Sequence, residues 1–142
     1  MKNWKLLCIL GVLLMTSCKS ANPPYKNGDY TASQANFDEV TGWKDTIFIH
    51  ISGGKINSVD WNSISKDGGD DKKTLSREGK YVMTGDAQWH EQARVLEDLL
   101  ISVQDPDKIN LTSSGYVDGV TGVTIHALSF VTLAKEALQK AR

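Results

Sequence analysis

Polar and apolar residues alternate in two adjacent stretches of this chain. Between Thr46 and Ser52, Ile47, Ile49 and Ile51 share one face, and after Gly53-Gly54-Lys55 the pattern resumes in Ile56–Trp61 with Val59 and Trp61 aligned. A period of two puts every second side chain on the same side of a strand, so the pair predicts a β-hairpin turning at the glycines. Gly28–Ala32 predicts a further short strand ahead of it. The period then changes. From about Asp86 to Val103, Trp89, Leu96, Leu99, Leu100 and Val103 keep helical spacing, and Asp105-Pro106-Asp107 ends the pattern. A last helix is predicted from about Thr124 to Lys140, with Ile125, Leu128, Val131, Ala134 and Leu138 in one stripe and Phe130, Leu133 and Ala137 in a second beside it. Two adjacent stripes imply a helix buried over much of its girth, and Lys135, Lys140 and Arg142 lie at its C-terminal end, where the helix dipole favours cations. Ser65–Ser76 is polar and glycine-bearing and reads as a loop. No internal repeat or low-complexity tract interrupts the pattern. These elements predict an α+β fold, an antiparallel sheet with helices packed on it.

The first residues follow a different logic. Lys2 and Lys5 precede an apolar run from Leu6 to Met15, and small polar Thr16 and Ser17 lead to Cys18. Ten apolar residues are too few for a membrane span, which needs about 20, and this order of charge, apolar run and small-residue exit describes a secretory signal. A cysteine directly after the exit resembles the bacterial lipoprotein pattern, in which that Cys is lipidated and becomes the new N-terminus. The expected organisation is a signal over residues 1–17, lipidated Cys18 with a tether to residue 27, and one domain over 28–142. Cys8 is lost with the signal and Cys18 is capped by lipid, so disulfides and thiolate metal sites are not expected. The expected location is extracytoplasmic, with acyl chains in membrane lipid and the domain in water.

Composition narrows the function classes. The 142 residues hold 16 Lys/Arg and 17 Asp/Glu, and removing Lys2 and Lys5 with the signal leaves 14 against 17, a net charge of −3. A mildly acidic domain lacks the basic face that a nucleic-acid binder needs to neutralise phosphates. With 40% hydrophobic and 23% charged residues, the chain can fold around a modest core.

Chemistry concentrates in Asp118-Gly119-Val120-Thr121-Gly122-Val123-Thr124, just ahead of the expected last helix. Two glycines and two hydroxyl residues entering a helix make a place where unpaired first-turn amides and the dipole attract an anion. Gly122 would let the backbone approach a phosphate without a Cβ in the way. Thr121 or Thr124 suits a helix cap or a hydroxyl offered to a ligand. A plain capped turn has the same composition.

The segment resembles the flavinylation signature of the FMN-binding domain family: Asp, two variable residues, Ser/Thr, Gly, a small residue, then Ser/Thr. That domain occurs in subunits of the Rnf and sodium-pumping NADH:quinone reductase complexes and in short extracytoplasmic lipoproteins. The resemblance implies FMN held by a phosphoester to Thr124, installed by a flavin transferase, with Asp118, Thr121, Gly122 and Val123 as the rest of the motif. Val123 stands where the family commonly has Ala. Gly42-Trp43-Lys44, the Gly53-Gly54-Lys55-Ile56 turn, Asp67–Lys73 and Gln104-Asp105-Pro106 resemble the lipoprotein branch described as major membrane immunogens. The implied role is electron transfer between a redox donor and acceptor, not catalysis by the domain itself. A surface-exposed structural or binding lipoprotein that keeps the fold without flavin is the alternative, and noncovalent flavin binding is a third.

Trp43 and Lys44 suit stacking on an isoalloxazine ring and stabilising its reduced anion, or equally a loop tryptophan beside a solvated lysine. Tyr81 and Tyr116 carry the same two readings, and His126 suits either contact with the phosphate or plain exposure. His50 and His90 stand apart, without Cys or carboxylate at ligand spacing, and predict no metal site. Asp67, Asp70 and Asp71 do not match the alternating ligands of a calcium loop, and Lys66, Lys72 and Lys73 offset their charge. No Gly-x-Ser-x-Gly elbow marks a hydrolase.

Overall fold

A computed structural model describes residues 25–142; the expected signal, Cys18 and most of the tether lie outside the described residues. Three strands, β1 (Gly28–Ser33), β2 (Trp43–Ser52) and β3 (Lys55–Ser65), form one antiparallel sheet in the order β1-β2-β3. Among the described residues, three helices, α1 (Lys72–Arg77), α2 (Trp89–Val103) and α3 (Leu128–Gln139), and a 3-10 turn at Pro106–Lys108 accompany it. The α+β expectation is met.

The hairpin forms where alternation predicts it. Ser52 pairs with Lys55 across Gly53 and Gly54, whose φ angles of 60° and 73° are those of a type I′ turn that glycine adopts without strain. Ile56 and Val59 are three apart yet both buried, because a bulge between His50 and Ile51 shifts the register there. Ile47, Ile49, Ile51, Ile56, Val59 and Trp61 thus face one side, which α2 and α3 cover. Trp61 lies at the centre, its ring 5.2 Å from Trp89 of α2 and 5.3 Å from Phe130 of α3.

Both long helices run the same way. Gln104, at the end of α2 in a left-handed conformation, bonds both the amide and the carbonyl of Ile56 near the hairpin turn, while Trp89 packs further along β3. In α3, Ser129 of the first turn bonds Asp45 near the start of β2, and Lys140 past its end reaches the Thr31 carbonyl. The two helix N-termini therefore point to the end of the sheet where Trp43 pairs with Ser65. At the opposite end the Tyr25 and Lys26 amides donate to the carbonyls of Gly54 and Ala141, and buried Tyr25 belongs to the core. The last residues assigned to the tether are thus part of the folded unit.

Two segments differ from the sequence expectation. Within the expected loop, Asp71 caps α1 by accepting from the Thr74 amide and hydroxyl, both at 2.9 Å. Burial opposes the Asp71 charge, but these bonds and the Asn62 side chain outweigh it and hold its pKa below the ordinary aspartate value. The last helix starts at Leu128, not Thr124, because the preceding residues bond elsewhere. Tyr116 bridges to His126, the Ala127 amide donates to Gly115, and the Thr124 and Ile125 amides donate to Gln92.

The exposed edge of β3 is closed by charge. Glu97 of α2, 1% exposed, accepts from the Trp61 amide at 2.7 Å and from the Lys73 ammonium, which also pairs with Asp60. Burial pushes the Glu97 carboxyl above its ordinary value, against the pull of Lys73 and the Trp61 amide. A raised folded-state pKa contributes stability that is full below the unfolded value and lost as pH rises through the folded one. Lys73→Met, which leaves the carboxylate buried and unpaired, is expected to cost about 3–5 kcal/mol at neutral pH in urea denaturation. The cost should shrink as pH falls, because burial raises the Glu97 pKa and a protonated carboxyl needs no cation.

Candidate functional site

Thr124 is held by a side chain from another element. Gln92 is 3% exposed, and its carbonyl oxygen accepts from the Thr124 amide at 2.6 Å, the Thr124 hydroxyl at 3.3 Å and the Ile125 amide at 3.1 Å. Its nitrogen donates to the Ala87 carbonyl at 2.9 Å. One buried carboxamide thereby ties the 121–127 segment to α2 and to the loop ahead of α2. Between them lies a cleft of about 200 Å³, lined by the 84–87 loop, Gln92, Gly122 and Thr124.

The backbone at 121–124 takes the form it does because of Gly122. Its φ is 81°, and a Cβ there would meet nothing within 4 Å. Gly122 is needed for the turn, and it leaves the cleft wall bare of a side chain. Among the described residues, the amides of Thr121 and Gly122, the two residues of a turn, donate to no protein acceptor. From 123 to 128 the chain alternates, with Val123, Ile125 and Ala127 buried and Thr124, His126 and Leu128 exposed. Val123 is 9% exposed and belongs to the core cluster, so its methyl groups lie among apolar neighbours.

The expected helix-terminus geometry is corrected. Thr121 and Thr124 do not cap a helix: α3 begins after Ala127 with no side-chain cap, and its first turn meets Asp45 through the Ser129 hydroxyl. The donors near Thr124 belong to a turn, and successive free amides in a turn also make an anion-binding concavity. Asp118 is exposed; its amide bonds the Asn110 carbonyl, and it does not line the cleft.

Trp43 and Lys44 meet different neighbours. Neighbours on a strand point to opposite faces. The Lys44 ammonium lies 5.3 Å from the Phe37 ring, while Trp43 meets Tyr81 edge-on at 6.2 Å. The lysine beside Trp43 is Lys72, whose ammonium is 4.9 Å from that ring and 5.1 Å from both Tyr81 and Trp89. Burial lowers the Lys72 pKa, and the charges of Asp45 and Asp38 act against that shift. His126 packs against Tyr116 with ring centroids 4.8 Å apart. His50 has a carboxylate partner the sequence did not reveal, since Asp29 lies opposite it on β1 and bonds it at 2.6 Å. His90 bonds Ser76 at 2.9 Å. Among the described residues no three His, Cys, Asp or Glu side chains converge, and no helix is long and apolar enough to cross a membrane.

The sequence reading passed over Gln92 and took Lys72 only as offsetting the charge of nearby aspartates. Gln92 left one trace: a polar side chain one turn beyond Trp89, on the stripe that continues through Leu96. Lys72 left none, because its rings come from three separate segments.

No protein-family model matches the chain. The "15 kDa lipoprotein" of Treponema pallidum is 31% identical over 140 residues, 96% of this chain and 87% of that protein. A Clostridium thermocellum protein solved by solution NMR is 49% identical and has a TM-score of 0.63, over 82% of this chain and 92% of that one. A Clostridium perfringens protein solved by crystallography is 27% identical with a TM-score of 0.61, over 82% of this chain and 88% of that one.

Gln92→Leu removes the acceptor of the Thr124 and Ile125 amides and leaves them unpaired. A loss of about 1–3 kcal/mol is expected in urea denaturation, with faster hydrogen exchange at Ile125.

Proposed function

The chain belongs to the family of the 15 kDa lipoprotein, and on that footing we propose that it is a lipid-anchored extracytoplasmic flavoprotein carrying FMN on Thr124 for electron transfer. Cys18 is the proposed lipidation site, and a flavin transferase the proposed loading partner. The observation that carries the reading is the meeting of three features around one cleft: Thr124 in its lining, a wall at Gly122 without a side chain, and the unpartnered amides of Gly122 and its neighbour Thr121. These suit a phosphate oxygen array, which takes hydrogen bonds from backbone N–H groups wherever no Cβ intrudes.

The charge of the cleft favours a covalent link. Its lining has the Asp86 carboxylate and no lysine or arginine, so a free phosphate dianion would have no cationic side chain to hold it. An ester to Thr124 keeps the phosphate there regardless and removes part of its charge. Gln92 supports this by fixing the Thr124 backbone on the cleft wall. Val123 in place of the family's Ala is compatible, since its side chain lies in the core. Bound there, the flavin supplies the redox chemistry, while the protein holds its position and tunes its potential.

Coexpression with an extracytoplasmic flavin transferase should yield a yellow protein heavier by one FMN less water. Thr124→Ala should abolish both colour and added mass, and Thr124→Ser should retain them. A colourless wild-type product of unmodified mass would overturn the reading and leave a structural or binding lipoprotein of the same fold.

A further inference from the structure

We propose that Lys72, boxed by Trp43, Tyr81 and Trp89 at the start of the helix whose Gln92 lines the cleft, is the positioning charge that sets the redox poise of the flavin; this rests on the reading of Thr124 as its carrier. The box is built from three parts of the chain: the first residue of β2, the loop that follows α1, and the first residue of α2. Asp71, bonded to the Thr74 amide and hydroxyl and to Asn62, fixes the start of α1 and hence the root of the Lys72 side chain. The ammonium lies 4.9–5.1 Å from all three ring centroids, within the range of cation–π attraction.

No carboxylate neutralises this charge by contact. Asp45 and Asp38 are the acidic groups that face it, and each is engaged elsewhere. Asp45 accepts from the Ser63 and Ser129 hydroxyls, and Asp38 accepts from the Thr41 amide and hydroxyl. Among the described residues Lys72 makes no ion pair. A structural lysine is ordinarily paired or solvated; this one is packed between rings with its charge left open. Burial and its low local dielectric strengthen the field that charge exerts.

Box and cleft share the start of α2. Trp89 opens the helix, Gln92 stands one turn on and grips Thr124, and Tyr81 and the 84–87 loop lie in the segment leading into it. In FMN a five-carbon chain separates phosphate from ring, a reach of roughly one helical turn or more. A ring tethered at Thr124 would come within reach of the start of α2, where Gln92 holds Thr124 and Lys72 packs on Trp89. Oxidised flavin accepts two electrons and one proton to give its anionic reduced form, and a fixed ammonium stabilises the added negative charge.

The test uses the transferase-loaded protein, with its FMN content established first by intact mass, and a reductive titration with dithionite as electron source against a reference dye. Lys72→Met is expected to disfavour reduction at least tenfold, about 30 mV lower for the two-electron couple, while Lys72→Arg stays near wild type. A merely structural role would leave the potential unmoved in any variant that folds and loads, and Lys72→Gln replaces the Met variant if that one does not load. Loaded proteins with equal potentials overturn this proposal alone. Wild-type protein lacking the FMN mass overturns the Thr124 reading as well.

Discussion

A buried carboxylate decides how α2 can lie against the sheet. Glu97 reaches past the core to the edge of β3, takes the Trp61 amide and is matched there by Lys73 from α1. A charge so deeply buried is tolerated only while both partners are in place, which fixes α2 in rotation as well as position. The consequences run back along the helix. Trp89 is set over Trp61 and beside Lys72, and Gln92 is turned to the 121–127 segment, where it holds Thr124. The same charges cover an edge that would otherwise offer its backbone to another strand.

Most of the fold was legible because its elements are held by their own periodicity. The Ile47–Ile49–Ile51 alternation and the double glycine specify the hairpin, and the stripe from Trp89 to Val103 specifies α2. The missed elements are those held by single polar contacts. The six residues of α1 are too short to show a period and depend on the Asp71 cap. Residues 124–127 have helical spacing, but a carboxamide 32 positions away and a bridge to Tyr116 keep them out of the helix. Tertiary hydrogen bonds overrode the local pattern there.

The candidate site was legible as a motif and not as a geometry. Asp118–Thr124 marks the segment, and the turn amides and bare Gly122 wall give it a physical basis other than the helix start expected there. The lysine beside Trp43 was sought in the adjacent residue, which strand geometry turns away. Lys72 takes that place because α1 folds back over the start of β2.

Residues 26 and 141 meet through a backbone hydrogen bond of 2.8 Å beside the hairpin turn, while Thr124, Trp43 and both helix N-termini crowd the far end of the sheet. β2 alone spans ten residues, roughly 33 Å at about 3.3 Å per residue. The domain is therefore polar in the geographer's sense: whatever holds it beside residues 26 and 141, be it a lipid, a bead or a fused protein, holds one pole and leaves the other facing outward.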